Sequence, residues 1–386
     1  MRKIRLSKSV VGELEKEALA KVINESYLGM GHFVQEFENK LKEYLGTKYV
    51  ICVNSGTAAL HLALMGAGIK AGDEVLIQSL TYIASFQAIS AVGAKPIPCE
   101  IVPETCTIDL NDAEKRITQK TKAIMPVHYA SRVGDLGKIY RFAEKHNLKV
   151  IEDAAHAFGC TYKEMKIGSS QYIKYSRSHL STFSTVVCFS FDGIKNITSG
   201  EGGAVVTDDE NVAKIVMDAR LLGVHRDTDM RYKGLRSWEF DVFHQGYRYH
   251  MSNLFAATGI VQLDRFEKEF KPIRQKLARR YHEALQDIQD IILFPDNYDE
   301  IVPHIFPIRV LNNKRDGLRQ YLLSNNIECG IHYYPNHLLT YYGAKKGLLP
   351  VTEQIYDELI TLPLHPDLTY EQQDKVIDVT VHFIVL

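Results

Sequence analysis

The residue with the plainest chemical use is Lys195, which stands between two apolar runs in CFSFDGIKNITSGEGGAVVTDD, residues 188–209. The run 186–191 reads as a buried strand and 204–207 as a second. Between them the chain breaks at Asp192-Gly193, presents the lysine and enters a Gly/Ser-rich turn at 199–203. An amine at the rim of a sheet costs little while it stays solvated and much if it is buried alone. Its chemical use is as a Schiff-base former, with a carbonyl substrate or with pyridoxal phosphate. Most lysines that follow a strand are plain surface residues, so any chemistry rests on what accompanies Lys195.

Pyridoxal phosphate makes definite demands. Its dianionic phosphate wants backbone N–H groups at a helix N-terminus and small hydroxyls. Ser55-Gly56-Thr57 lies between an apolar run and an Ala-rich one, and Ser190 offers a second hydroxyl from the strand before the lysine. The pyridine nitrogen needs a carboxylate to stay protonated, and Asp153 ends the apolar run 149–152, where open sheets bind ligands. The ring needs a flat partner, and Tyr82 and His156 stand at strand ends. Each residue also has a plainer reading. Ser-Gly-Thr and Asp153 are equally well helix caps, His156 a satisfied core histidine, Tyr82 a core ring. Their joint placement is harder to set aside, because phosphate turn, acid and amine fall at consecutive strand ends.

Those positions presuppose an alternating chain. Helical spacing covers 13–23, 33–44, 58–67, 82–92 and 135–146; extended runs cover 49–53, 74–78, 95–100, 123–127 and 149–152. The rhythm predicts parallel strands joined by crossover helices, an open α/β sheet covered on both faces. The polar and aromatic stretch 169–185 reads as a long loop, and 226–248 as irregular. Helices are expected at 209–222, 252–266 and 268–285. The runs 302–310, 316–325, 330–334 and 354–362 then suggest a small α+β domain. The division is placed at residues 1–260 and 261–386.

Bulk properties narrow the class. A chain of 386 residues, 45% hydrophobic and 24% charged, is an ordinary globular one with room for a large and a smaller domain. A formal charge of -1 without a long basic block argues against nucleic acid. The six cysteines form no close CxxC pair and sit in apolar segments, as buried thiols of a reducing compartment rather than a disulfide scaffold or a zinc or other metal site. The N-terminal stretch lacks the apolar core of a signal peptide, and no run has membrane-helix length. The expectation is a cytoplasmic protein with no membrane partner.

Several stretches together resemble a known family. NSGTAAL at 54–60, TYIAS at 81–85, EDAAHAFG at 152–159, the lysine motif at 188–209 and GYRYHMSNLFAATGIVQL at 246–263 are similar to the DegT/DnrJ/EryC1/StrS sugar aminotransferases. GIHYYPNHL at 330–338 and LPLHP at 362–366 carry the resemblance through the last third. It implies an aspartate-aminotransferase-like fold (fold type I): a mostly parallel seven-stranded sheet, a smaller C-terminal α+β domain and an obligate homodimer with shared active sites. It makes Lys195 the internal aldimine with pyridoxal 5'-phosphate and Asp153 the partner of the pyridine nitrogen. Tyr82 stacks on the ring, and His156 lies near it or its 3-hydroxyl. Gly56, Thr57 and Ser190 hold the phosphate, and Asn253 reaches it from the neighbouring subunit. The implied reaction moves an amino group from L-glutamate to a nucleotide-linked keto sugar, a 4-keto-6-deoxy-hexose first and a 3-keto isomer second. His332 and Tyr333 match positions near the sugar nucleotide.

Relatives that replace the lysine by histidine act as dehydratases, so Lys195 favours transamination. A regulatory relative without turnover is the competing class, and the intact Lys195 and Asp153 argue against it. Two departures bear on the sugar: the family's PVHLYG run is here Pro126-Val127-His128-Tyr129-Ala130-Ser131, and a longer stretch, 170–184, replaces a short link. For the pyrophosphate the candidates are Arg226, Arg231 and Arg248, with Tyr232, Trp238 and His332 lining the sugar; surface ion pairing is the alternative for each arginine.

Overall fold

The computed structural model describes residues 3–178, 185–343 and 345–385. The strands of the large sheet are β1 Tyr49–Val53, β2 Glu74–Gln78, β3 Lys95–Cys99, β4 Thr121–Met125 and β5 Lys149–Asp153. After the short hairpin β6 Thr161–Tyr162 and β7 Met165–Lys166 come β8 Val186–Ser190 and β9 Gly203–Thr207. The seven-stranded order is β1-β9-β8-β5-β4-β2-β3. Neighbours from β8 to β3 pair in parallel, whereas β9 runs antiparallel to both β1 and β8. The reason lies in the connection. Residues 191–202 contain no crossover helix, and a parallel return needs one.

β2, β8 and β9 are buried along their whole length, as strands covered on both faces must be. The helices Gly56–Gly66, Ile83–Ala91 and Glu210–Ala219 pack together around one apolar cluster on one face. Helices His32–Leu45 and Asn253–Arg265 pack on each other in the second and larger cluster. A buried ion pair ties this layer to the sheet edge: Arg220 Nη1 lies 2.5 Å from Glu38 Oε1, which also accepts the Cys52 N–H at 2.8 Å. Such a pair stabilises only when its remaining hydrogen bonds are made. Here Arg220 also donates to the Cys52 carbonyl and to the Tyr232 hydroxyl.

The smaller C-terminal domain holds an antiparallel sheet of β10 Ile291–Ile292, β11 Phe306–Val310 and β12 Leu359–Leu362. Helices Arg315–Ser324 and Tyr370–Val385 pack against each other beside it, the second unforeseen in the sequence reading. The first described residues join this domain, because Ile4 bridges Ile327 and the Leu364 N–H donates to the Leu6 carbonyl. Residue 260 lies inside the unbroken helix Asn253–Arg265.

Two local expectations change. Residues 170–177, read as loop, form the helix Ser170–Arg177, capped by Ser169 Oγ accepting the Tyr172 N–H at 3.1 Å. Its buried side is Tyr172, Ile173 and Ser176, of which only isoleucine looks apolar in sequence. Residues 179–184 of the expected insertion lie outside the described residues. Within the stretch read as irregular, Asp227–Tyr232 is helical. All six cysteines are free, five of them buried. Among the described residues no helix is long and apolar enough to cross a membrane.

Candidate active site

Lys195 is presented by a turn that its own loop braces. The Asp192 carbonyl accepts the Lys195 N–H at 3.1 Å, and Asp192 Oδ1 accepts the Ile194 N–H at 3.3 Å. Next in the chain, Asn196 Nδ2 donates to the Phe158 and Val302 carbonyls, each at 3.0 Å. Burial brings the Lys195 amine down from its ordinary value to about 8, against the opposing pull of Asp153 and Asp192. A lysine so placed reaches its nucleophilic, neutral form near physiological pH.

Facing it is the N-terminus of helix Gly56–Gly66. Ser55 caps that helix by accepting the Ala58 N–H at 3.1 Å. The first N–H groups of any helix lack intrahelical acceptors. Close backbone approach makes the cradle. A Cβ on Gly56 would lie 2.8 Å from the Ser190 Cβ, and one on Gly203 would lie 2.5 Å from the Ser55 carbonyl oxygen. Only glycine at these two positions allows the helix N-terminus to lie so close to β8 and β9.

Asp153 ends β5 with its side chain in the same cleft. Its Oδ2 accepts from Ser85 Oγ at 2.6 Å and its Oδ1 from the Ala155 N–H at 3.1 Å. His156 is buried: its Nδ1 accepts the Ala130 N–H at 3.3 Å, and its Nε2 lies 3.0 Å from the Tyr333 hydroxyl. An accepting Nδ1 puts the ring proton on Nε2, which donates to the phenol oxygen and leaves the Tyr333 proton for a ligand. Burial, with Lys195 and His332 adding to it, holds His156 well below the ordinary imidazole range. Tyr82 is 58% exposed at the cleft mouth, its ring centre 5.6 Å from that of Tyr333.

Ser55, Gly56, Thr57, Asp153, Ser190 and Lys195, with Tyr82, His156, His332 and Tyr333, line one cavity of about 440 Å³. These residues fit pyridoxal 5'-phosphate: a glycine cradle at a helix N-terminus, a hydroxyl beside it, a buried carboxylate and a low-lying amine share one space. His332 Nδ1 is engaged by Thr361 Oγ1 at 2.8 Å, and burial lowers its imidazole to about 4.

The other expected residues lie elsewhere in the protomer. Arg231 pairs with Asp227 at 2.8 Å and, with Arg248, lines a separate cavity of about 170 Å³; Arg226 lines neither. Tyr232 has its hydroxyl held between Arg220 and Glu38. Trp238 is 86% exposed. Asn253 is fully buried inside its own protomer, with Nδ2 on the Tyr27 carbonyl at 3.0 Å. As the first residue of its helix, it folds back onto the 27–29 turn.

Sequence reasoning missed three contributors. Ser85 lies inside the TYIAS stretch, yet its contact with Asp153 joins a helix to a strand far along the chain. His304 and Arg274 come from the last third. His304 Nε2 is 3.4 Å from Lys195 Nζ, and Arg274 Nη2 donates to the Lys195 carbonyl at 3.4 Å.

Comparison with known proteins agrees with this geometry. The family model described as the DegT/DnrJ/EryC1/StrS aminotransferase family matches residues 10–381. The spore coat polysaccharide biosynthesis protein SpsC of Bacillus subtilis is 33% identical over 379 residues, 96% of this chain and 94% of that one. The crystal structure of S. venezuelae DesV, in complex with a ketimine intermediate, superposes with a TM-score of 0.88 at 31% identity over 100% of this chain and 99% of that one. The PLP-form of the putative sugar aminotransferase Spr1654 from Streptococcus pneumoniae gives a TM-score of 0.88 at 29% identity, covering 99% of each chain. With residues 10–381 matched by its model, the chain belongs to the DegT/DnrJ/EryC1/StrS aminotransferase family.

Proposed function

We propose that this protein aminates a nucleotide-linked keto sugar, a 4-keto-6-deoxy-hexose, with L-glutamate as donor, in glycan biosynthesis, and that it works in the cytoplasm as a pyridoxal-phosphate-dependent aminotransferase. One observation carries the reading. An amine lowered to about 8 shares one cavity with a helix N-terminal glycine, Gly56, and a buried carboxylate, Asp153. The bound cofactor supplies the electron sink that allows a C–H bond beside the transferred nitrogen to break.

The chain's residues do the rest. Lys195 Nζ holds the cofactor between turnovers; once displaced, it takes the proton from the donor's Cα and later returns one to the sugar carbon. Gly56, Thr57 and Ser190 fix the phosphate and so the swing of the ring. Asp153, oriented by Ser85, keeps the pyridine nitrogen protonated. Tyr82 covers the ring face and His156 lies near the ring or its 3-hydroxyl, while His332 and Tyr333, which line the same cavity, are the candidates for the sugar side. The likeness to SpsC supports a glycan-building role.

A homodimer belongs to the same reading. Trp238 and Phe243 are 86% and 70% exposed, a patch that a second copy would cover. Arg226, Arg231 and Arg248 are then the candidates for the pyrophosphate, and Asn253 serves the phosphate of the neighbouring subunit. The division into 1–260 and 261–386 is kept as the working pair of domains.

Absorbance tests the reading directly. Purified protein with pyridoxal phosphate should show a visible band that Lys195→Ala abolishes and L-glutamate bleaches. Keto-sugar nucleotides differing in base and ketone position are then offered to the bleached form. Return of the band with a 4-keto-6-deoxy substrate supports the assignment. Return with a 3-keto isomer alone replaces the sugar. Loss of water without amine transfer makes the protein a dehydratase.

A further inference from the structure

Three imidazoles surround Lys195, and they are not equivalent. His156 has both ring nitrogens engaged, by the Ala130 N–H and the Tyr333 hydroxyl, and His332 is turned onto Thr361. His304 alone among the described residues directs a ring nitrogen at the amine, with Nε2 3.4 Å from Nζ, and its Nδ1 has no partner among them. It is 3% exposed, and its ring centre lies 4.5 Å from that of His156.

The main chain around His304 is fixed on two sides. Its N–H donates to Ser131 Oγ at 3.2 Å, and its carbonyl accepts from Arg274 Nη1 at 3.3 Å. The same guanidinium reaches the Lys195 carbonyl through Nη2. One buried arginine, with no carboxylate partner among the described residues, thus sets the spacing between the lysine and the histidine. The charged groups acting on His304 are Lys195, His156, Arg274 and His332, all bases, whereas Asp153 and Asp192 act on Lys195. An imidazole so surrounded stays neutral and does not take the lysine's proton; burial alone already drives it well below its ordinary range.

We propose that His304 is a positioning residue for the Lys195 amine: its Nε2 accepts one N–H of Nζ whenever that nitrogen is not bound to cofactor, turning the amine's lone pair toward the cleft. The inference rests on the aminotransferase reading and deepens it. It also gives the C-terminal domain a direct hand on the reacting nitrogen, since His304 lies just before β11.

The test follows pyridoxal phosphate uptake by cofactor-free protein, read as the rise of visible absorbance across neutral to alkaline pH. Wild-type uptake should reach half its maximum at about pH 8. His304→Phe should lower the maximal rate about tenfold, as for one lost hydrogen bond. It should also move the half-maximum to lower pH, because the ammonium form loses an acceptor. His304→Gln, whose amide oxygen reaches the same place, should restore both. A folded His304→Phe protein with wild-type rate and midpoint overturns the proposal. A second measurement needs no histidine variant: with nitrogen-15-labelled histidine, Lys195→Met should shift the His304 Nε2 resonance. An unmoved resonance overturns the pairing. Should wild-type protein take up no cofactor, the aminotransferase reading fails, and the resonance alone decides whether Nε2 and the amine are partners.

Discussion

Glu152 and Asp153 are neighbours on β5, and the pleat sends them to opposite faces of the sheet. Behind the sheet, Glu152 is fully buried and saturated. Oε1 accepts from Tyr140 at 2.6 Å and Thr185 at 2.8 Å, while Oε2 accepts from Tyr172 at 2.5 Å and His128 at 2.9 Å. Burial pushes this carboxyl up, but the donors win and hold it below its ordinary value. In front, Asp153 accepts, among the described residues, from Ser85 and the Ala155 N–H and keeps an open side toward the cleft. The same chemical group serves structure where its hydrogen-bonding capacity is used up and chemistry where some is left over.

The contrast predicts two opposite failures. Asp153→Asn should leave the fold near wild-type stability while amino transfer falls by roughly 10²–10⁴-fold, the usual worth of a positioned proton-holding group. Glu152→Gln should do the reverse, lowering stability by about 3–5 kcal/mol because four buried donors lose their anion. Urea unfolding and turnover measured on both proteins check this; matching losses of stability and activity in both variants would erase the distinction.

Acid separates the two faces by pH. His156 and His304 lie well below 6.5 and His332 at about 4, so between pH 6.5 and 4 the unfolded chain takes up protons that the folded cleft refuses. Stability therefore falls as pH drops through that window, by up to about 1.4 kcal/mol per pH unit for each fully buried imidazole. Glu152, held below 4.5, contributes stability that is lost only at lower pH still. Denaturation midpoints across this range should show the early slope reduced in His332→Gln, and untouched by changes behind the sheet.

The smallest effect sharpens the role of the helix Ser170–Arg177. Tyr172→Phe removes one of Glu152's donors and should cost about 1–2 kcal/mol of stability. The visible band of the bound cofactor should not move. A shifted band would mean that the two faces communicate through β5.

Much of the front face was legible in the sequence because it is written at strand ends. Lys195, Asp153, Ser190 and the Gly56-Thr57 turn each follow or end an apolar run, and the alternation that brings them together reads directly from the chain. The strands expected at 49–53 and 74–78 match β1 and β2 residue for residue. The back face was not legible, since its tyrosines look like surface residues until Glu152 draws them in. The helix carrying Tyr172 reads as loop in the sequence for that reason. His304, Arg274 and Ser85 stayed hidden on other grounds: only tertiary packing carries them to Lys195 and Asp153. The reversed β9 was readable in principle from its short connection, which leaves no room for a crossover helix.

That reversal bears on the order of assembly. Because β9 turns straight back along β8, the loop 191–202 closes between near neighbours in the chain. Closing a short loop between antiparallel strands costs least entropy, whereas the parallel pairings of β8 with β5 and β5 with β4 must each close a longer connection. The turn that bears Lys195 is therefore expected to acquire its shape before Asp153 arrives opposite it. In refolding followed by hydrogen exchange, amides of β8 and β9 gain protection first, and the ability to capture pyridoxal phosphate comes later, when the slower parallel half of the sheet is in place.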